Sequence, residues 1–228
     1  MSVRVRLRSR LAALSWVQRS LLVGAALGAA WSAWTLPEHT LPWRLTRDLV
    51  LFVVGPVAFA LWHGRDLGWR VDRRTLRNTA ALAAFVVPFY VVGASLPTVR
   101  AYYPIWETST ALSAFLPHAV GQLLVALAAE TYYRGLLCVG VRDLGPKSAF
   151  ISPVVYALHH VGKPPVELLL SGPTDVLFGL VDYDCRSILP SVVAHGVGLS
   201  LLDWLVLHPP VIATERVVRW LSWLPVPL

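Results

Sequence analysis

The chain is built from apolar stretches of roughly twenty residues, separated by short breaks that hold most of its arginines. A stretch of that length satisfies its backbone polar groups inside a bilayer only as a helix. In order, the stretches are 21–36, 48–63, 79–96, 117–141, 148–162, 166–181 and 187–207. They predict an all-α, polytopic transmembrane helix bundle of about seven spans, with roughly six and eight as bounds. Only 14% of residues are charged, where soluble domains carry about a quarter. Ten tryptophans and seven tyrosines suit the aromatic belts of a membrane protein.

Charge sets the orientation. Arg65, Arg70, Arg73, Arg74 and Arg77 share one break, and the positive-inside rule places it in the cytoplasm. Arg4, Arg6, Arg8, Arg10 and Arg19 make residues 1–20 a basic, amphipathic lead on the same surface, with the N-terminus cytoplasmic. Residues 21–228 then form a single membrane domain. A net charge of +7 would point to nucleic acid in a soluble chain. Here the arginines punctuate apolar spans, so the expected partner is anionic lipid and no nucleic acid. Cys138 and Cys185 fall near cytoplasmic helix ends, where neither a disulfide nor a metal site is expected. Residues 211–228, rich in Trp with Glu215, Arg216 and Arg219, read as an interfacial helix.

The informative residues are the ionisable ones inside the spans, because such groups turn inward toward a partner or a cavity. Glu130 and Arg134 are four apart and share a helix face. Counting from the nearest cytoplasmic turn, Glu130 lies roughly 16 Å deep, His160 roughly 20 Å and His195 roughly 14 Å. Three separate helices thus bring an acid and two imidazoles within about one helical turn of a common level. His159 faces about 100° away from His160 and reads as structural.

Two chemistries fit. In one, a carboxylate acts as general base on a water, with the histidines holding the water or the oxyanion. In the other, His160, His195 and Glu167 bind zinc, which acidifies the water itself. The metal-free route is preferred, since no HExxH is present and no cofactor is required. A proton relay in a transporter is a third reading, disfavoured by the lack of inverted repeats.

The motifs resemble the CAAX protease and bacteriocin-processing superfamily of glutamic-type intramembrane proteases. Its pattern is EExxxR on one helix, FxxxH on the next and HxxxN on a later one. Here these look like Ala129-Glu130 to Arg134, Tyr156 to His160, and His195 to Leu199. The resemblance covers a core of about residues 116–207. It implies a membrane endopeptidase in which Glu130, Arg134, His160, His195 and Glu167 are catalytic, with Tyr156, Lys163 and Asp203 in support. Two positions depart from the pattern: Ala129 stands where the water-activating glutamate is expected, and Leu199 where the asparagine of the oxyanion site is expected. The stretch His160-Val161-Gly162-Lys163-Pro164-Pro165-Val166-Glu167 looks like a bacterial variant with KPxxE; Glu130 is the lead base or water-positioning acid, and Glu167 is the substitute candidate for the missing one. Lys163 and Glu167 also fit an ion pair at a helix start. Asp203, eight residues after His195, is expected to orient a histidine.

The resemblance further implies a membrane-anchored protein or peptide substrate, cut near a transmembrane or C-terminal sorting segment, as in myxosortase-like sorting. The expected setting is the bacterial inner membrane. The rival from another class is an inactive membrane scaffold that binds a sorting peptide without cutting it.

Overall fold

The computed structural model of the chain describes residues 13–34 and 40–228. Arg4, Arg6, Arg8 and Arg10, and the end of the expected first span, lie outside the described residues. Among the described residues there is no β-strand, and one isolated bridge joins Trp69 to Ser187.

Helix α1 spans Trp16–Ala33 and starts in a capping box, with Ser15 and Gln18 each bonding the other's backbone. Helix α2 spans Leu41–Trp62 and widens to π geometry over Leu49–Val54. Helix α3, Arg73–Gly93, is capped by the Asp72 carboxylate, which accepts from the Thr75 amide at 2.8 Å. A short α4, Pro97–Tyr102, follows. Helix α5 spans Leu112–Val139 and is π-helical from Thr131 onward. A 3₁₀ segment, Arg142–Phe150, leads into α6, Ser152–Leu158. Helix α7 is Pro165–Cys185, α8 is Leu189–Val206 and α9 is Thr214–Leu221.

Among the described residues, four helices are long and apolar enough to cross a membrane: α2, α3, α5 and α8. The chain is therefore an integral membrane protein; about seven spans were expected, and four helices among the described residues qualify on this measure. Helix α1 has the length, at 18 residues, but is less apolar. Helix α7 has 21 residues and carries Glu167, Asp175, Asp182 and Asp184. The expected span 148–162 holds the end of a 3₁₀ segment that bends at Gly145, φ 69°, and then a helix of 7 residues with Pro153 in its first turn.

The breaks collect on two opposite faces. On one, the Trp16 indole donates to the Gly140 carbonyl at 2.7 Å. Arg65 pairs with Asp143 at 3.4 Å, and Arg74 pairs with Asp184. These contacts bring the breaks at 64–72, 140–147 and 184–188 to the same face. On the other face, the Arg100 guanidinium donates to the carbonyls of Ala94, Val206 and His208 at 3.0, 2.9 and 2.8 Å, closing the C-terminus of α8. Helix α8 packs between α3 and α5. Its interior small residues, Ala194, Gly196 and Gly198, permit that close approach.

Candidate active site

The site is assembled from the middle of α5, the end of α6, the start and middle of α7, and α8. Glu130 and Arg134 sit where α5 changes from α to π geometry, and both are 0% exposed. A π turn widens the helix locally, and such turns recur at functional sites. The Glu130 carboxylate meets two basic side chains at once. Its Oε1 accepts from His195 Nδ1 at 2.6 Å, and its Oε2 lies 3.0 Å from Arg134 Nε. Arg134 also places Nη1 2.8 Å from Asp175 Oδ1 on α7. Both arginine contacts lie at ion-pair distance but off the N–H axes, so they are held by charge more than by directed hydrogen bonds. The other Asp175 oxygen accepts from the Ser152 hydroxyl at 2.5 Å. An Arg between two carboxylates is how a charge is tolerated at this depth.

An aromatic step connects this cluster to the second histidine. The Arg134 guanidinium lies 4.9 Å from the Tyr156 ring centroid, and that ring is 4.1 Å from the His160 ring. His160 donates from Nδ1 to the Tyr156 carbonyl at 2.7 Å. A carbonyl can only accept, so Nδ1 carries the proton and Nε2 is left with a lone pair. That Nε2 faces Glu167 Oε1 at 3.6 Å. Gly162, at φ 92°, makes the turn that a side-chain-bearing residue resists, and it lets α7 start beside the histidine it follows.

Glu167 is held from two further sides. Lys163 Nζ donates to Oε1 at 2.7 Å, and the Tyr103 hydroxyl donates to Oε2 at 2.8 Å. Its side chain remains 26% exposed, whereas that of Glu130 is sealed. One carboxylate is thus locked in an ionic cluster, and the other is open beside an imidazole lone pair.

The residues expected from the sequence therefore fall into two contiguous groups. Glu130, Arg134 and His195 form one, and His160, Lys163 and Glu167 the other, with Tyr156 between them. Asp203 belongs to neither. It accepts from His118 Nε2 at 2.6 Å and from Gln122 Nε2 at 2.5 Å, all three side chains being buried. The histidine it orients is thus His118, because α8 carries Asp203 about 12 Å along its axis from His195. His159 turns the other way, bonding the Tyr133 hydroxyl and packing on Trp31. The zinc alternative required His160, His195 and Glu167 to converge. Among the described residues no three His, Cys, Asp or Glu side chains are placed to hold a metal ion, and His195 turns its Nδ1 to Glu130.

Sequence reasoning missed Asp175, Ser152, His118 and Gln122. Asp175 had a signal: it is an acid inside an apolar run, LLLSGPTDVLFG, and such a residue asks for a partner. His118 and Gln122 share a helix face four residues apart, as Glu130 and Arg134 do. Ser152 had none, since serines are common in membrane helices.

A helical membrane body with a sealed charge cluster beside two oriented imidazoles defines a polytopic membrane protein with an intramembrane polar centre. Residues 111–198 match the family model described as type II CAAX prenyl endopeptidase Rce1-like, which falls within the superfamily the motifs resemble. That is a protease family, and the match supports an intramembrane peptidase as the general class. The matched segment contains both groups of site residues and ends before Leu199 and Asp203. No curated protein and no solved structure matches the chain.

Proposed function

We propose that the chain is an intramembrane endopeptidase that cleaves a membrane-associated protein or C-terminal sorting segment with a Glu- and His-activated water. The observation that carries this reading is the pair His160 Nε2 and Glu167 Oε1, two acceptors 3.6 Å apart at the open side of the site. One water can donate a hydrogen bond to each and turn its own lone pair toward an amide carbonyl. Glu167 takes the proton as general base. It thereby fills the role that Ala129 leaves vacant. Glu130 has both oxygens engaged, so it positions His195 rather than activating water. Glu130 fixes the His195 ring through Nδ1 and leaves its Nε2 to face the reacting carbonyl. Lys163 and Tyr103 hold Glu167 in place, and the metal-free route needs no cofactor.

Helices α1, with 18 residues, and α7, with 21, have the length to add crossings toward the expected seven. The arginine-bearing face lies in the cytoplasm, with the N-terminus on that side, and the setting is a bacterial inner membrane with anionic lipid. The partial exposure of Glu167 leaves a peptide access to the site.

The test is cleavage of candidate membrane substrates co-expressed with wild type, Glu167→Gln, Glu130→Gln and His195→Ala. Glu167→Gln is expected to abolish cutting. Cutting that survives all three substitutions refutes the assignment. Binding of a substrate that the wild type never cuts supports a scaffold instead, the outcome that Ala129 and Leu199 would favour.

A further inference from the structure

We propose that Tyr90 is a further catalytic residue of this site, its phenol O–H donating to the carbonyl oxygen of the scissile amide as that oxygen becomes an oxyanion. The inference rests on the peptidase reading with Glu167 as base, and it addresses what Leu199 leaves open. Leu199 lies one helical turn after His195, where the resemblance expects a hydrogen-bond donor. Its alkyl side chain donates nothing and is buried among Val166, Leu202 and Tyr103.

Tyr90 comes from the last turn of α3, outside the segment matched by the family model. It is half-buried and bridges two apolar clusters, one containing Leu199 and the other Ala194. A Cβ at Gly198 would run into the edge of the Tyr90 ring and its hydroxyl. The absence of that Cβ lets the phenol lie directly on the α8 backbone, three residues from His195 and beside Leu199. Both site carboxylates, Glu167 and Glu130, act electrostatically on the hydroxyl, which has no hydrogen-bond partner among the described residues. Two other phenols of the region are committed, Tyr103 donating to Glu167 and Tyr133 bonding His159, and Tyr156 packs its ring on His160 rather than lying on α8. Tyr90 therefore offers a donor at the position along α8 where the motif has lost one.

The chemistry balances without a further reagent. The water oxygen forms a bond to the amide carbon, its proton passes to Glu167, and the carbonyl π electrons move onto oxygen, where Tyr90 donates. Collapse of the tetrahedral intermediate breaks the C–N bond, and the leaving nitrogen takes the proton back from Glu167. The products are a carboxylic acid and an amine, and Tyr90 keeps its proton throughout.

The test uses the full chain, as wild type, Tyr90→Phe and Glu167→Gln, reconstituted with membranes of the source organism as the probe. New protein termini are quantified by mass spectrometry. A peptide spanning the most abundant cut is then used to measure kcat and KM separately. Because the hydroxyl bonds nothing in the resting protein, Tyr90→Phe is expected to fold and melt as wild type does. It is expected to lower kcat by about 10²- to 10³-fold, the loss typical of one oxyanion donor, with KM held within about twofold. A kcat within about twofold of wild type, or a change confined to KM, overturns the role of Tyr90 even where Glu167→Gln is silent. A wild type that produces no termini beyond those of Glu167→Gln overturns this inference together with the peptidase reading beneath it.

Discussion

The Glu130–Arg134–Asp175 cluster makes a quantitative demand that substitution can check. All three side chains are fully buried, and Arg134 lies 3.0 Å from one acid and 2.8 Å from the other. Removing one partner from a buried ion pair strands a charge and costs about 3–5 kcal/mol. Asp175→Asn keeps the shape and can still accept from Ser152, so only the charge is lost and the lower figure applies, about 3 kcal/mol. That is about a 150-fold change in the folding equilibrium. For a domain of this size it corresponds to a fall of about 6–12 °C in melting temperature. Arg134→Gln leaves two acids facing each other and should cost more. The double substitution should cost less than the sum of the singles by about 2 kcal/mol, because the second change removes a charge already unpaired. The assay is unfolding in lipid–detergent micelles followed by intrinsic tryptophan fluorescence. A fall under about 2 °C for Asp175→Asn, or strict additivity in the cycle, would refute the claim that Asp175 holds Arg134.

Three further outcomes are expected. Ala129→Glu restores cutting to Glu167→Gln, read as cleavage of the same membrane substrate; Ala129 packs against the cluster that includes Tyr156, whose ring lies 4.1 Å from His160, and a folded double variant without activity would sink the idea of a relocated base. Gly28→Ala destabilises by about 1–3 kcal/mol in the same unfolding assay, because a Cβ there would meet the Tyr132 hydroxyl at 2.7 Å while that hydroxyl is tied to the Gly24 carbonyl. The Asp72 carboxyl is held below its ordinary value of 3.8 by the Thr75 amide it caps, so its contribution is complete at neutral pH and fades as pH falls through the lowered value. The melting-temperature gap between wild type and Asp72→Ala should accordingly be flat above about pH 5 and narrow in stronger acid; a gap that widens on acidification contradicts this.

What could be read from the sequence was whatever depends on one helix at a time. The rise per residue put Glu130 and His195 at similar depths, and the two side chains meet at 2.6 Å. The i,i+4 spacing of Glu130 and Arg134 needed no knowledge of neighbours. What could not be read were relations set by which residues of different helices become neighbours. Asp203 was expected near the site histidines, yet it sits about 12 Å further along α8 than His195, and which neighbour stands at that level, His118 and Gln122 of α5, was not legible. Asp175 was visible as a buried acid, but nothing in a linear chain says that its partner is Arg134, 41 residues earlier. The span count was blurred for a different reason. Hydropathy sums treat 148–162 as one apolar run, whereas its first residues finish a 3₁₀ segment and Pro153 opens a helix of only 7 residues.

Both departures from the motif pattern, Ala129 and Leu199, put an apolar side chain where the pattern has a polar one, and the roles proposed in their place fall to residues outside those motif positions. Glu167 comes from the helix after His160, and Tyr90 from a helix that precedes the matched segment altogether. A catalytic centre fixes where a proton acceptor and an oxyanion donor must stand, not which strand of sequence supplies them. A deeply buried ionic cluster is the harder part to move, because Arg134 must keep two acids and His195 its partner for the cluster to be tolerated at all. The open carboxylate and the free phenol carry no such obligation, since each sits at a half-exposed rim where a side chain from either direction can reach. On that reasoning, loss at Ala129 and Leu199 refers the question of activity to Glu167 and Tyr90. The intact Glu130–Arg134–His195 cluster is the frame against which their positions have meaning.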